Sequence, residues 1–277
     1  ESITTPTVTF TSGGDSITNA PSYNHTSGDT WTASYTVASA DTDGAVAYSI
    51  AFSDTSSNSG TAVTSGTGSV TIDTTAPTLA AVTAISTPTT DNTPSFVFSS
   101  DEAGTITTSI SEGFSTSTSA SSGNNTITFS ALSDGTYSGK TVTVTDATGN
   151  ADSLTIADFV VDTTGPTIAI TSADVSDGAT SNDSSIALTF TSNEATSNFA
   201  AGDISVSGGS LSSFVASSST VYTATLTPSA DGATTIDVAA NAFTDGLGNN
   251  NSAASQFNWT YDGTAPSLAS VTDISTP

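Results

Sequence analysis

The chain has 277 residues, of which 26 are acidic and one, Lys140, is basic. With the single histidine, His25, counted as neutral, the formal net charge is −25. A surface this acidic repels nucleic acids and anionic lipids. Cysteine is absent, which excludes disulfides, thiol catalysis and thiolate metal sites. No stretch reaches the roughly 18 unbroken apolar residues that a membrane-spanning helix needs. Methionine is also absent, and we therefore expect the sequence to be a processed or excised piece of a longer protein.

Short runs of alternating apolar and polar residues recur along the chain. Such alternation places one face of a strand in a core and the other in water, and Gly, Asn, Asp and Pro separate the runs. The pattern predicts an all-β protein. In chain order the runs are TASYTV (32–37), VAYSIAF (46–52), SFVFSS (95–100), TVTVTD (141–146), IALTF (186–190), VYTATL (221–226) and FNWTY (257–261).

One phrase recurs at domain-sized intervals. It reads VTIDTTAPTLAA, FVVDTTGPTIAI and WTYDGTAPSLAS, and its aspartates, Asp73, Asp162 and Asp262, are 89 and 100 residues apart. An immunoglobulin-like β-sandwich takes about 100 residues. We therefore predict tandem immunoglobulin-like β-sandwiches arranged as an elongated rod. The predicted domains are 1–75 without its first strands, 76–164, 165–264, and 265–277 as the first strand of a following domain.

Within these domains the strands are predicted in immunoglobulin-like order, with an Asp-Gly turn before strand F. In the first domain the turn is Asp43-Gly44, followed by F at 46–54 and G at 69–75. The second domain has A at 78–86, B at 93–100, C at 105–110, E at 125–132, F at 140–146 and G at 154–162. The third has A at 167–175, B at 184–192, C near 202–208, E at 220–228, F at 234–243 and G at 255–262.

Acidic residues fall in the loops that this fold brings together. The B–C and F–G loops gather at the pole where the preceding linker arrives, and Ca²⁺ takes six to eight oxygen ligands. Because basic partners are nearly absent, the sequence predicts a calcium site at each joint. The competing interpretation is that these residues only favour turns and solubility. The candidates are Asp73, Asp101, Glu102, Asp146, Asn150 and Asp152 at the first joint, and Asp162, Glu194, Asp245 and Asn249 at the second.

The string VTVTDATGNAD, followed by FVVDTTGPT, resembles the bacterial immunoglobulin-like repeats of very large surface adhesins and giant repetitive secreted proteins. The resemblance covers essentially the whole chain. It implies calcium at the junction acids and a spacer role, outside the cell, for the domains. The first domain departs from the pattern, because Ser57 precedes Asn58 where a glycine is expected.

The two ends of the sequence look like halves of a further joint. Glu1 resembles a B–C loop glutamate, and SLASVTDISTP at 267–277 copies TLAAVTAISTP at 78–88. Either the sequence is a window of one long array, or copies join head to tail by strand donation. In both cases we expect Asp262 to lie beside the equivalents of Glu1, Asp54 and Asn58 and to complete a calcium site.

Three classes of function remain to be weighed. A structural spacer of a bacterial surface or secreted adhesin or filament is the favoured prediction, and a glycan- or ice-binding module is the alternative. An enzyme is not expected, because His25, the single histidine, sits in a polar, turn-like stretch, SYNHTSGD, without a nucleophile motif. Trp31 and Trp259 occupy core-phased positions, which favours packing over sugar stacking.

Overall fold

The computed structural model describes residues 2–270. Strands dominate this part of the chain, and its single helical element is a short 3-10 turn at Ala201–Asp203. The residues divide into two compact units. The first unit holds the described residues up to Ile85 together with Ser95–Ser130 and Gly139–Ala157, and the second holds Ser86–Pro94, Ala131–Ser138 and the described residues from Asp158 onward. Glu1 and residues 271–277, which include most of the expected last strand, lie outside the described residues.

The first repeat contributes one sheet and one separate hairpin to the first unit. The sheet has the order β2 (Asp15–Ser16), β1 (Thr7–Ser12), β5 (Gly44–Ala51), β6 (Thr71–Ile72), and the hairpin joins β3 (Ser22–Ser27) to β4 (Thr30–Ser34). Strands F and G overlap the predicted ranges 46–54 and 69–75, although strand G is reduced to the two residues of β6. Two predictions are wrong. The strand predicted at 32–37 ends at Ser34, and Val37 is 49% exposed. The stretch around His25, predicted to be turn-like, is mostly strand β3, which a short turn follows.

The rest of the first unit consists of two antiparallel sheets. One has the order β11 (Gly123–Thr128), β8 (Ser95–Ser100), β7 (Leu79–Thr83), and the other β10 (Ser119–Ala120), β9 (Gly104–Thr108), β13 (Thr141–Thr145), β14 (Ala151–Thr155). Alternate residues are buried on both, as period two requires. The buried side chains are Phe96, Phe98 and Ile127 on one sheet and Ile106, Val142 and Val144 on the other.

The second unit contains a complete two-sheet sandwich. One sheet has the order β16 (Ile168–Ser172), β18 (Ile186–Ser192), β21 (Val221–Pro228), β20 (Gly209–Ala216). The other has the order β17 (Ala179–Ser181), β23 (Phe257–Tyr261), β22 (Gly232–Val238), β19 (Ile204–Ser207). The first is the A-B-E-D sheet and the second the G-F-C sheet of the immunoglobulin fold. Their inner faces form one hydrophobic core that includes Leu188, Phe190 and Trp259.

The second unit also shows where the sequence prediction was incomplete. Strand G of the second domain, predicted as continuous over 154–162, is two strands: β14 pairs with β13, and β15 (Phe159–Val161) pairs with β12 (Gly135–Tyr137). Strands β17 and β20 were not predicted, and β17 runs parallel to β23. Strand β22 ends at Val238, because the chain turns through Asn241, whose φ is +60°.

Candidate metal centres

The first candidate centre brings together three carboxylates from three strand ends. Asp73 follows β6, Glu102 follows β8 and Asp146 follows β13. One carboxylate oxygen from each lies within 4.8 Å of the others. All three side chains are partly buried, so the group faces neither bulk water nor an apolar core. A single small cation can therefore contact all three residues.

The loop after β13 is folded around the Asp146 carboxylate. Asp146 Oδ1 accepts hydrogen bonds from the backbone N–H groups of Thr148 (2.8 Å), Gly149 (2.6 Å) and Asn150 (2.9 Å). The loop favours glycine because Gly149 has a φ of +101°, a conformation that side chains disfavour. Asn150 Nδ2 then donates to Asp146 Oδ2 (2.8 Å) and to the backbone oxygen of Asp73 (3.1 Å). The asparagine thus braces the loop against the linker.

The second candidate centre repeats this construction. Asp162 follows β15, Glu194 follows β18, and Asp245 lies in the loop after β22; their carboxylates form the same close group. Asp245 Oδ1 accepts from three backbone N–H groups, the last of them from Asn249 at 2.9 Å. Asn249 Nδ2 donates to Asp245 Oδ2 (2.8 Å) and to the backbone oxygen of Asp162 (3.0 Å).

In both groups the glutamate is the residue whose pKa is raised. Burial, followed by the negative charges of Asp73, Asp101, Asp146 and Asp43, raises the pKa of Glu102. Burial, followed by the charges of Asp162, Asp245 and Asp134, raises the pKa of Glu194 in the same way. Each glutamate is surrounded by like charge, so a bound cation would relieve a repulsion that the fold itself creates.

The loop aspartates behave in the opposite way. Partial burial alone would raise the pKa of Asp146, but hydrogen bonds from Asn150 and Thr148 outweigh it and hold that pKa at about 2. Burial likewise opposes the hydrogen bonds that lower the pKa of Asp245. Both aspartates are therefore ionised at neutral pH and available as ligands.

Sequence reasoning missed a contribution from the Asp-Gly turns. Asp43 accepts from the backbone N–H of Thr74 (2.7 Å) and from the hydroxyl of Thr75 (2.5 Å). Asp134 makes the same bonds to Thr163 and Thr164, and Asp231 bonds the backbone of Gly263 and the hydroxyl of Thr264. We call these three acids the linker clamps. The signal was present, since each of the three Asp-Gly turns before strand F is matched by a threonine two residues after the next linker aspartate.

Two other predicted ligands, Asp101 and Asp152, are not members of the three-carboxylate groups. Asp101 Oδ1 accepts the backbone N–H of Thr78 at 2.6 Å, next to the start of β7, and its charge contributes to the raised pKa of Glu102. Asp152 lies on β14 and accepts the N–H of Ser153. Among residues 2–270, only the two groups described above bring three carboxylates this close.

The loop at Asp54 has the same form as the two candidate centres. Asp54 Oδ1 accepts the backbone N–H groups of Ser56 and Asn58 at 2.8 Å each, and Asn58 Nδ2 donates to Asp54 Oδ2 at 2.7 Å. Ser57 takes a φ of +73° where the other loops have glycine, so its departure from the pattern does not prevent the turn. Asp262 accepts the N–H of Thr264 (3.2 Å), as Asp73 and Asp162 do with their own threonines. Glu1, the remaining predicted ligand, lies outside the described residues.

His25, the single histidine, lies in the hairpin of the first repeat. It lies on the exposed strand β3, its ring stacks 4.2 Å from that of Trp31, and its Nε2 is 2.5 Å from the backbone oxygen of Gly28. Both contacts lie within the β3–β4 hairpin. Trp259 is in the core as predicted, and its Nε1 donates to Ser181 Oγ at 3.0 Å.

The sheet order and the repeated loops define a class of tandem immunoglobulin-like modules. Two family models, both described as Bacterial Ig-like domain, match adjacent parts of the chain, residues 82–163 and 162–261. Residues 82–261 are therefore tandem bacterial Ig-like domains, as the resemblance predicted for this part of the chain. Domains of this family typically occur in surface or secreted proteins and are typically structural modules. No helix within residues 2–270 is long and apolar enough to cross a membrane.

Solved structures give a weaker likeness. The chain is similar to Dpr2 Ig1-Ig2 in complex with DIP-Theta Ig1-Ig3, with 12% identity, 69% of this chain and 100% of that chain covered, and a TM-score of 0.22. It is also similar to Bacteroides ovatus SGBP-B of the mixed-linkage glucan utilization locus, in complex with a heptasaccharide, with 14% identity, 93% and 60% covered, and a TM-score of 0.21. Such TM-scores carry no argument about function. No curated protein matches the chain.

Proposed function

We propose that the chain is a spacer segment of a bacterial surface or secreted adhesin or filament, and that calcium stiffens its linkers. The observation that carries this proposal is the repeated three-carboxylate group. In both copies one carboxylate belongs to the linker aspartate, and the other two belong to loops of the repeat that follows it. A cation bound there ties the linker to the next repeat.

The donor set fits calcium. Oxygens up to 4.8 Å apart can share one ion, because Ca²⁺–oxygen bonds are 2.3–2.6 Å long. Asp73, Glu102 and Asp146 would hold the first ion, and Asp162, Glu194 and Asp245 the second. Calcium would supply positive charge to neutralise the glutamates. Structural zinc sites mostly use histidine and cysteine, which these groups lack, and Mg²⁺ demands a stricter octahedral geometry than Ca²⁺.

Calorimetric titration of the chelator-treated chain tests calcium binding. We expect two sites with a Kd on the order of 10⁻⁴ to 10⁻³ M, as in extracellular modules. Glu102→Gln and Glu194→Gln should each abolish one site. Asp237→Asn removes a charge from β22 that is not among those raising the pKa of Glu102 or Glu194, and it should leave both sites intact. Titrations without heat, or a Glu194→Gln variant that keeps two sites, would contradict the proposal.

Two further measurements address the spacer role itself. Small-angle scattering with calcium and with chelator should show a narrower distribution of interatomic distances in calcium, because each ion ties a linker to the repeat that follows it. A profile that calcium leaves unchanged would refute linker stiffening even if calcium binds. A glycan array with calcium-loaded protein separates a spacer from a carbohydrate-binding module, and a spacer gives no selective signal.

A further inference from the structure

In each repeat the aspartate of an Asp-Gly turn stands opposite a linker aspartate. The strand that follows the turn pairs with the strand that precedes the linker, and the end pairs are Gly44 with Ile72, Gly135 with Val161, and Gly232 with Tyr261. One position beyond each pair, the register brings two aspartates together: Asp43 and Asp73, Asp134 and Asp162, Asp231 and Asp262. Like charges opposite each other across two strands are destabilising. An arrangement that costs stability yet occurs three times points to a use for the paired acids.

At the second linker one threonine connects the two aspartates. Asp134 Oδ1 accepts the backbone N–H (2.9 Å) and the hydroxyl (2.7 Å) of Thr163. Asp134 Oδ2 accepts the hydroxyl of Thr164, and the backbone N–H of Thr164 donates to Asp162 Oδ1 at 3.3 Å. Thr164 therefore binds the clamp with its side chain and the linker carboxylate with its backbone.

The other two linkers make the same connection. Thr75 donates its hydroxyl to Asp43 Oδ2 (2.5 Å) and its N–H to Asp73 Oδ1 (3.3 Å). Thr264 donates its hydroxyl to its own clamp and its N–H to Asp262 Oδ1 (3.2 Å). Among residues 2–270, Asp262 belongs to no group of three close carboxylates. The connection is therefore a property of the linker and of the repeat before it, and it forms without the other two carboxylates of a metal centre.

The clamp aspartates influence the candidate metal centres without belonging to them. Within the described part of the chain, the two groups of three close carboxylates include neither Asp43 nor Asp134. Their charges nevertheless contribute to the raised pKa of Glu102 and of Glu194, so each clamp acts on its group through space. Removing a hydrogen-bond partner that orients a metal ligand typically weakens metal binding about 10- to 100-fold. The clamps stand in this relation to the linker carboxylates.

We propose that Asp43 and Asp134 position the linker carboxylates of Asp73 and Asp162 for a bound cation, each acting through the threonine that it holds. A linker backbone and a carboxylate oxygen that are fixed before the ion arrives reduce the ordering that binding requires. The clamp thus raises the affinity of the site without contacting the ion. This inference rests on the proposed function, because it concerns the same two sites.

Thr164→Val tests the proposal at the second site, because it removes the hydroxyl that the clamp holds and keeps the charge of Asp134. The full chain carries Glu102→Gln, so that one site remains. The probe is Tb³⁺, which takes oxygen ligands as Ca²⁺ does, with calcium as competitor. Its luminescence lifetimes in H₂O and D₂O count the waters on the bound ion. We expect binding to weaken about tenfold and the ion to gain water in place of the Asp162 oxygen.

Three further variants separate positioning from stability and from charge. Thr164→Ser restores the hydroxyl and should recover the affinity, which a general effect on stability would not explain. Asp134→Asn removes both the charge and an acceptor, and it should also weaken binding. Thr225→Val removes a hydroxyl from β21, at a position that alternates with buried residues, and it should change neither the affinity nor the lifetimes.

The outcomes that would overturn the proposal are distinct. Unchanged affinity and lifetimes in Thr164→Val, with or without a loss of stability, would show that the clamp is only structural. Weaker binding in Asp134→Asn alone would assign the whole effect to charge. Thr164→Ser binding as weakly as Thr164→Val would exclude the hydroxyl. If the Glu102→Gln chain with Thr164 intact binds neither ion, the proposed function fails at this site and the inference fails with it.

Discussion

Replacing Asp162 by asparagine should change the stability of the second unit in opposite directions with and without calcium. Asp162→Asn keeps an oxygen acceptor for the N–H of Thr164 and leaves the backbone oxygen that Asn249 bonds. It removes one of the three carboxylates grouped with Glu194 and Asp245. The variant therefore separates the linker's charge from its hydrogen bonds.

The expected magnitude follows from binding linkage. With a Kd on the order of 10⁻⁴ M, calcium at 10 mM is about 100 times Kd and stabilises a site by about 2.7 kcal/mol. For a repeat of this size that is a rise on the order of 10 °C in Tm. The variant should lose most of this gain. The first unit, whose group is untouched, should keep its own.

Without calcium the sign reverses. The charge of Asp162 is the largest contribution after burial to the raised pKa of Glu194. A carboxyl with a raised pKa costs stability as pH rises through that shifted value, and the cost is absent below its ordinary value of 4.5. At pH 7 the chelated variant should therefore be at least as stable as the wild type, and the two should converge below pH 4.5.

Differential scanning calorimetry in 10 mM calcium and in chelator measures both effects, with Asp237→Asn as the charge-matched control. Equal calcium stabilisation of Asp162→Asn and wild type would refute the assignment of this residue as a ligand. An equal loss of stability in calcium and in chelator would show that Asp162 has only a structural role.

Two further predictions concern the loops and the linker clamps. Gly149→Ala should destabilise the first unit by about 1 kcal/mol or more in denaturant unfolding, because Gly149 has a φ of +101°. The control Gly202→Ala should be close to neutral, because a Cβ at Gly202 meets nothing within 4 Å and Gly202 has no positive φ. Equal effects of the two substitutions would contradict the argument from backbone strain. Hydrogen bonds, the largest from Thr164, lower the pKa of Asp134, so its contribution to stability is present above the ordinary value of 3.8 and is lost as pH falls through the lowered pKa. Asp134→Asn should therefore reduce stability at pH 7 and weaken its dependence on pH below 4 in urea titrations; a variant as stable as the wild type at pH 7 would show that the clamp contributes nothing.

The alternation of apolar residues was enough to predict most strands of the second and third repeats. Phe96, Phe98, Leu188 and Phe190 are buried because period two leaves one face for a core. Strand β17 was not predictable in this way. Its parallel pairing with β23 joins residues 80 positions apart, and its short, polar sequence ATS shows no local pattern.

The sequence by itself also determined which loops hold the acids, because the recurring linker aspartate and the Asp-x-x-Gly-Asn loop mark the same end of each repeat. Only the tertiary structure decided how each acid is used. Asp101 accepts the backbone N–H of Thr78. Asn150 and Asn249 donate their side-chain N–H groups to the backbone of the linker aspartates. Asp43 and Asp134 accept hydrogen bonds from the linker threonines. These choices depend on donors brought within about 3 Å by distant strands, and residue spacing along the chain does not specify position at that scale.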